Sequence, residues 1–300
     1  MNDRPYNLFA GPAILPLEVM KKIQADLLNI AGTNLSILEI SHRSPEYTEI
    51  NLSTQQKLRE ILTIPDNYRI LFLPGGASLQ FAMVPMNFLQ QKTADYVNTG
   101  TWAKKAIKEA KLFGKVNIAA SSEDKNFSYI PPLPSLQLTS DAQYVHITSN
   151  ETIGGVQWKE FPDTGAVPLI CDMSSDICSR EIDISRFGLI YAGAQKNLGP
   201  AGVAIVIIRD DMLARCPQGL TSMLKYTTHA EKDSAYNTPP VFSIYAVGLV
   251  LEWILSRGGL KAVEEQNEKK ARILYDAIDN SDFYRGTAAT ADRSLMNVTF

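Results

Sequence analysis

The sequence predicts an α/β fold: a large domain with a mostly parallel sheet between helices, then a small α/β C-terminal domain that is cut short. Three observations predict it. Short runs rich in apolar residues, at 69–73, 95–98, 115–119, 144–148, 167–171, 189–192 and 203–208, alternate with stretches of helical period. That alternation places parallel strands under crossover helices on both faces. The chain is 300 residues long and 45% hydrophobic, enough for a large core. Polar singletons and glycines gather where the apolar runs end, and open parallel sheets bind ligands outside the carboxyl ends of their strands.

Residues 1–15 carry Pro5, Gly11 and Pro12 and read as an irregular N-terminal arm. Pro16 suits the first turn of a helix to about residue 29, with Val19, Ile23 and Leu27 on one face. The polar turn Ser41-His42-Arg43-Ser44-Pro45 precedes an amphipathic helix to about Leu62. The strand at 69–73 leads through Pro74-Gly75-Gly76-Ala77-Ser78 into a helix at 79–87. The strand at 95–98 leads through Thr99-Gly100 into a helix at 102–113, followed by a strand at 115–119. Residues 121–143 are polar and proline-rich, a connection. The next strand ends in Ser149-Asn150-Glu151-Thr152, and the one at 167–171 ends at Asp172. Runs at 189–192 and 203–208 flank Lys196. Residues 217–240 form a long irregular excursion, and such loops in compact domains are usually functional. An apolar helix spans 243–256, Gly258-Gly259 breaks it, and a charged amphipathic helix spans 260–278. A further strand is expected at 294–300. The domains are therefore an arm at 1–15, a large domain at 16–257, and the start of a C-terminal domain at 258–300.

Composition excludes several classes. A net charge of −3 with no long basic block argues against a nucleic-acid surface. No apolar run reaches the length of a membrane span, and residues 1–7 lack the apolar core of a signal peptide. Cys171, Cys178 and Cys216 form no CxxC pair and the three histidines are scattered, so neither a disulfide framework nor a metal site is expected. A cytoplasmic protein is expected.

The chemistry starts at Lys196. Lysines ordinarily keep their charge in water, but this one sits at a glycine-rich bend between two core runs. An amine nucleophile with a lowered pKa belongs in such a place, and an ordinary turn lysine is the plain alternative. Gly75-Gly76-Ala77-Ser78 opens a helix whose free N–H groups and dipole suit a phosphate, or it is only a turn. Asp172 ends a buried strand and suits a cofactor, a metal or a cap. Trp102 is core or a stacking plate. Taken together, an amine, a phosphate cradle, a lone carboxylate and an aromatic plate are what pyridoxal phosphate requires.

Ordered motifs along the chain then carry a resemblance: Asn7-Leu8-Phe9-Ala10-Gly11-Pro12-Ala13, Ser41-His42-Arg43-Ser44, Gly75-Gly76-Ala77-Ser78-Leu79-Gln80-Phe81, Thr101-Trp102, Ser149-Asn150-Glu151-Thr152-Ile153-Gly154-Gly155, Asp172-Met173-Ser174-Ser175, Gly193-Ala194-Gln195-Lys196-Asn197-Leu198-Gly199 and Asn237-Thr238-Pro239-Pro240. Any one of these is unspecific, but the ordered set is highly specific. The chain resembles the phosphoserine aminotransferase family, class-V, fold-type-I pyridoxal-phosphate enzymes. The resemblance implies that Lys196 bonds covalently to the cofactor and, once freed, moves the proton between substrate and cofactor carbons. It implies that Asp172 pairs with the pyridinium nitrogen, Trp102 stacks on the ring, and Thr152 bonds near the phenolic oxygen. Ala77 and Ser78, through their N–H groups, and Gln195 would hold the phosphate. Asn237 and Thr238 would reach the phosphate of the other subunit in a homodimer. His42 and Arg43 would meet the substrate.

The implied reaction is ping-pong transfer of the amino group of L-glutamate to 3-phosphohydroxypyruvate, giving O-phospho-L-serine and 2-oxoglutarate in serine biosynthesis. Some bacterial relatives also aminate a phosphorylated hydroxythreonine precursor of pyridoxine. Some relatives carry an arginine where this chain has Ser78, and the family's basic substrate-binding residues of the C-terminal domain are mostly not among these 300 residues. The rivals are an alanine–glyoxylate-type aminotransferase, a cysteine desulfurase, and a non-catalytic nucleotide-binding module. Ser41-His42-Arg43 and the Asn237-Thr238 loop favour the phosphoserine enzymes, and no cysteine lies in a glycine-rich loop.

Overall fold

In the computed structural model residues 4–300 are described; the first three residues of the expected arm lie outside them. The strands are β1 (Tyr68–Leu73), β2 (Thr93–Asn98), β3 (Lys115–Ser121), β4 (Val145–Thr148), β5 (Asn150–Glu151), β6 (Val156–Gln157), β7 (Leu169–Asp172), β8 (Phe187–Gly193) and β9 (Ala204–Arg209). The α-helices are α1 (Leu17–Asp26), α2 (Pro45–Leu62), α3 (Gly76–Phe88), α4 (Thr101–Ala110), α5 (Asp210–Leu213), α6 (Tyr226–Ala230), α7 (Val241–Ser256) and α8 (Gly259–Asp279).

Seven strands make one sheet in the order β1-β9-β8-β7-β4-β2-β3, and β5 and β6 form a separate small hairpin. The pairings from β8 through β7, β4 and β2 to β3 are parallel, while β9 is antiparallel to both its neighbours. Because β9 is reversed, β1 again runs with β8, so the carboxyl ends of the other six strands share one edge. Successive residues of a strand point to opposite faces. On β9, Ile205 and Ile207 enter one core cluster and Val206 and Ile208 the other. The first cluster takes its helical residues from α1, α2, α7 and the start of α8; the second takes them from α3, α4, α5 and α6. The architecture is therefore three-layered, as the alternating pattern requires.

Local signals explain the element boundaries. Ser44 caps α2 by accepting from Tyr47 N, Pro45 occupies the first helical position, and Thr63 ends the helix in the left-handed region. The first helix is shorter than its apolar face suggested, ending at Asp26, and Pro16 stands just before it. α4 likewise ends at Ala110 instead of residue 113. The excursion at 217–240 contains the short helix α6.

The strand expected at 294–300 does not form. Ser294 Oγ accepts from Met296 N and Asn297 N, which curls the chain locally, and only an isolated bridge joins Val156 to Arg293. Among the described residues no single helix is long and apolar enough to cross a membrane.

Candidate active site

The turn after β8 fixes Lys196. Ala194 N donates to Val203 O at 3.0 Å, and Ala194 O accepts from Leu198 N and Gly199 N at 3.0 and 2.8 Å. Asn197 Nδ2 reaches Ile177 O at 2.6 Å. The N-terminal arm crosses this turn: Ala13 N donates to Gln195 O at 2.8 Å, and a Cβ on Gly11 would stand 3.3 Å from Lys196 Cγ. The ammonium group donates to Thr152 Oγ1 at 2.5 Å and lies 4.7 Å from the centre of the Trp102 ring. Burial holds the Lys196 amine below its usual range, although the Asp172 and Glu151 carboxylates pull it the other way.

Asp172 is the last residue of β7. Its Oδ1 accepts from Ser174 N at 2.9 Å and Ser174 Oγ at 2.6 Å, and Ser174 Oγ in turn accepts from Gly193 N at 3.1 Å. The bonds to Asp172 both fall on Oδ1, so Oδ2 has no hydrogen-bond partner among the described residues. Burial pushes the Asp172 carboxyl up, with the Ser174 bonds opposing. Asp176, one turn on, is also buried and is held by Ser149 Oγ and by Gln157 Nε2 at 3.1 Å.

The third wall is the start of α3. Gly75 precedes it in the left-handed region, at φ 87°, and no side chain caps the helix. The N–H groups of its first turn therefore have no partner within the helix. Ala77 and Ser78 lie in that turn.

Gly76, Ala77, Ser78, Trp102, Thr152, Asp172, Gln195 and Lys196 all line one cavity of about 100 Å³, joined by Phe81, Thr148, Asn150, Ser174 and Ser175. The structure thus brings together seven sequence-predicted residues from five separate segments. It does not bring His42, Arg43, Asn237 or Thr238 to this lining. His42 is half-buried with Nε2 unpartnered, Arg43 is exposed, and the Asn237 amide donates only to Thr238 O.

Sequence reasoning gave no individual role to Thr148, Asn150, Glu151 or Ser174, although the last three stand in the quoted motifs. Asn150 bridges Ser175 Oγ and Asn297 Oδ1, both at 2.8 Å. Glu151 is fully buried, and its carboxylate accepts from Trp102 N at 3.0 Å and Ala103 N at 2.9 Å. Their adjacency to Thr152 and Asp172 was the available signal. All three cysteines are free and buried. Burial pushes the thiols of Cys171 and Cys178 well up, which makes them poor nucleophiles.

The family model described as Aminotransferase class-V matches residues 5–300. Among curated relatives, a phosphoserine aminotransferase of Desulfatibacillum aliphaticivorans is 58% identical over 303 residues, covering 100% of this chain and 83% of the relative. One from Lysinibacillus sphaericus is 55% identical with the same coverage. The solved phosphoserine aminotransferase of Bacillus circulans subsp. alkalophilus superposes with a TM-score of 0.98 at 54% identity, over 100% of this chain and 83% of that one. A phosphoserine aminotransferase from Trichomonas vaginalis with bound pyridoxal phosphate superposes with a TM-score of 0.92 at 38% identity, over 97% and 82%.

Proposed function

This chain belongs to the class-V aminotransferase family, and we propose that it transfers the amino group of L-glutamate to 3-phosphohydroxypyruvate, giving O-phospho-L-serine and 2-oxoglutarate. The cofactor is pyridoxal 5′-phosphate. The observation that carries this reading is the convergence of a desolvated lysine, a half-paired carboxylate and an uncapped helix start on one cavity.

The residues fit the cofactor. Trp102 Nε1, Thr148 Oγ1 and Asn150 Oδ1 are buried without partners, and all three residues line the cavity. A buried polar atom without a partner costs stability unless something else satisfies it. A polar ring bearing a phosphate is such a partner. The first turn of α3, with Ala77 and Ser78 N–H and the Gln195 amide, suits the phosphate. Asp172 Oδ2 suits a protonated ring nitrogen, Thr152 the phenolic oxygen, and Trp102 the ring face. Lys196 is the amine that would hold the aldehyde carbon. Bound there, the cofactor supplies an aldehyde that exchanges amino groups and a ring that withdraws electrons from the substrate α-carbon.

The chain's own contribution is proton handling and orientation. With its pKa lowered by burial, Lys196 Nζ is available to take the proton at the substrate α-carbon and return it. Thr152 Oγ1, 2.5 Å away, sets the direction from which Nζ approaches. Ser174 fixes Asp172 against rotation through two bonds to one oxygen. The arm passes close over the lysine stem at Gly11. His42 and Arg43 are proposed to meet the substrate anion, for which arginine offers a planar fork of donors. Asn237 and Thr238 are proposed to complete the cavity of a second copy in a homodimer, which agrees with their absence from their own chain's lining. A cytoplasmic setting accords with three unpaired cysteines. The arm at 1–15, the large domain at 16–257 and a small domain beginning at 258 are the proposed organisation; α7 and α8 meet there at 86°.

The test is an absorption spectrum of purified protein with and without glutamate, beside Lys196→Ala. A visible cofactor band that glutamate converts to a shorter-wavelength form, and that the variant does not form on its own, is the expected result. Release by 3-phosphohydroxypyruvate then identifies the acceptor. A colourless protein that stays colourless with added pyridoxal phosphate would overturn the reading.

A further inference from the structure

Helix α4 begins without a local cap. Its N-cap is Gly100, which offers no side chain. The first N–H groups of a helix are ordinarily satisfied by a neighbouring Ser, Thr, Asp or Asn. Here the acceptor arrives from far along the chain, on β5. Glu151 Oε2 takes Trp102 N at 3.0 Å and Oε1 takes Ala103 N at 2.9 Å. The approach is close: a Cβ on Gly100 would stand 2.7 Å from Glu151 Cδ. The absence of a Cβ at Gly100 thus leaves the space that the Glu151 carboxylate fills. The hairpin that carries Glu151 is itself closed by Gly155 N donating to Glu151 O at 2.8 Å. The residue after Glu151 is Thr152, which holds Lys196 Nζ. The residue at the helix end that it grips is Trp102, whose ring centre lies 4.7 Å from the same Nζ.

We propose that Glu151 is a positioning residue whose carboxylate locks the first turn of α4 to the β5–β6 hairpin, so that Trp102 and Thr152 close on Lys196 as one rigid frame. The frame's use rests on the reading above that pyridoxal phosphate occupies the cavity. A plain helix cap would need no buried charge. This one is fully buried, and an ionised carboxylate accepts both N–H groups where a neutral one loses an acceptor. Burial pushes the Glu151 carboxyl up to about 7. The charged groups facing it are Asp172 from β7, which raises it further, and Lys196 from the turn after β8, which lowers it; α4 presents only the two N–H groups. The lock is therefore closed above neutrality and loosens below it.

The experiment compares binding of 4′-deoxypyridoxine phosphate, which cannot bond to the lysine, to the wild type and to Glu151→Gln from pH 6 to 8.5. The variant should bind about tenfold or more weakly at pH 8.5, and the ratio should shrink toward one at pH 6, where both side chains are neutral. Gly100→Ala, which pushes the carboxylate away, should show the same loss at pH 8.5. A ratio that is constant with pH would mark a merely structural lesion and overturn the proposal, as would a ratio of one throughout. Should neither variant fold, hydrogen exchange of the unaltered protein decides. After correction for intrinsic rate, the amides of Trp102 and Ala103 should lose protection between pH 8 and pH 6. Unchanged protection overturns the proposal. Failure of the wild type to bind the probe at all would instead count against the cofactor reading, and the exchange measurement stands independently of it.

Discussion

At Lys196 two opposing demands meet on one atom. Burial favours the neutral amine, while the nearby Asp172 and Glu151 carboxylates favour the charged one, and burial wins. The same competition runs at Asp172, where Ser174 supplies the counterweight. Asp172→Asn keeps the shape and removes the charge proposed to face the ring nitrogen. It should lower kcat by about a hundredfold or more while leaving the midpoint of urea unfolding near wild type, because a buried charge is removed with its Ser174 bonds partly kept. Steady-state kinetics beside equilibrium unfolding would check both halves.

Glu151 gives a pH prediction at the same site. Its folded pKa, about 7, lies above the ordinary 4.5. Between those values the folded chain holds a proton on Glu151 that the unfolded chain has released, so the contribution of Glu151 to stability falls as pH rises through that window. The loss is complete above about 7 and is on the order of 3 kcal/mol. Buried His146, pushed down to about 3, contributes a slope of the opposite sign below pH 6.5, so the measurement is a difference: the gap between the urea midpoints of wild type and Glu151→Gln should change in this sense between pH 4.5 and 8, and parallel profiles would contradict it. Glu151 escaped sequence reading for a physical reason. A glutamate is exposed in most contexts, and nothing in a four-residue polar stretch says which side chain is buried against a helix start. Lys196 and Asp172, which line the cavity, stood out in the sequence because charged residue types are out of place at the ends of apolar strands, whereas Trp102 entered only with the whole set.

Among the elements, the sheet was readable and its one reversal was not read. Strands β8 and β9 are joined by residues 194–203, too short for a parallel crossover of a dozen or more residues, so the antiparallel pairing was available in the spacing. The β5–β6 hairpin has two residues per strand, below what a period-two pattern can register. Helix α7 read correctly as apolar, and where it packs on α2 one close approach is set by a glycine. A Cβ on Gly248 would stand 2.6 Å from Thr54 Oγ1, a hydroxyl already bonded to Ile50 O at 2.7 Å. Gly248→Ala should therefore cost about 1–3 kcal/mol through overpacking, against the usual helix gain of about 1 kcal/mol for that change. Adding Thr54→Ala removes the obstructing oxygen and should recover most of the loss. Chemical denaturation of the two single variants and the double variant measures the coupling, and simple additivity would refute the contact as its cause.

For the whole molecule the decisive question is whether one chain makes a complete site. The cavity gathers residues from the first turns of α3 and α4, the β5–β6 hairpin, the end of β7 and the turn after β8, all along one edge of the sheet. Asn237 and Thr238 stand outside that gathering, and Thr238 is exposed. If they complete a second copy's site, the two defects lie in different chains of any one site. Lys196→Ala alone and Asn237→Asp/Thr238→Asp alone should each be nearly inactive. Mixed after unfolding and refolding together, random pairing makes about half of the dimers mixed. One of the two sites in each mixed dimer then draws its lysine and its Asn237-Thr238 loop from unaltered segments, so about a quarter of wild-type activity should return. A site built within a single chain predicts none, because every chain in the mixture carries a defect. The recovered fraction should also rise and fall with the proportion of mixed dimers as the input ratio is varied. A flat response at zero would place the loop back in its own chain and remove the reason for its length.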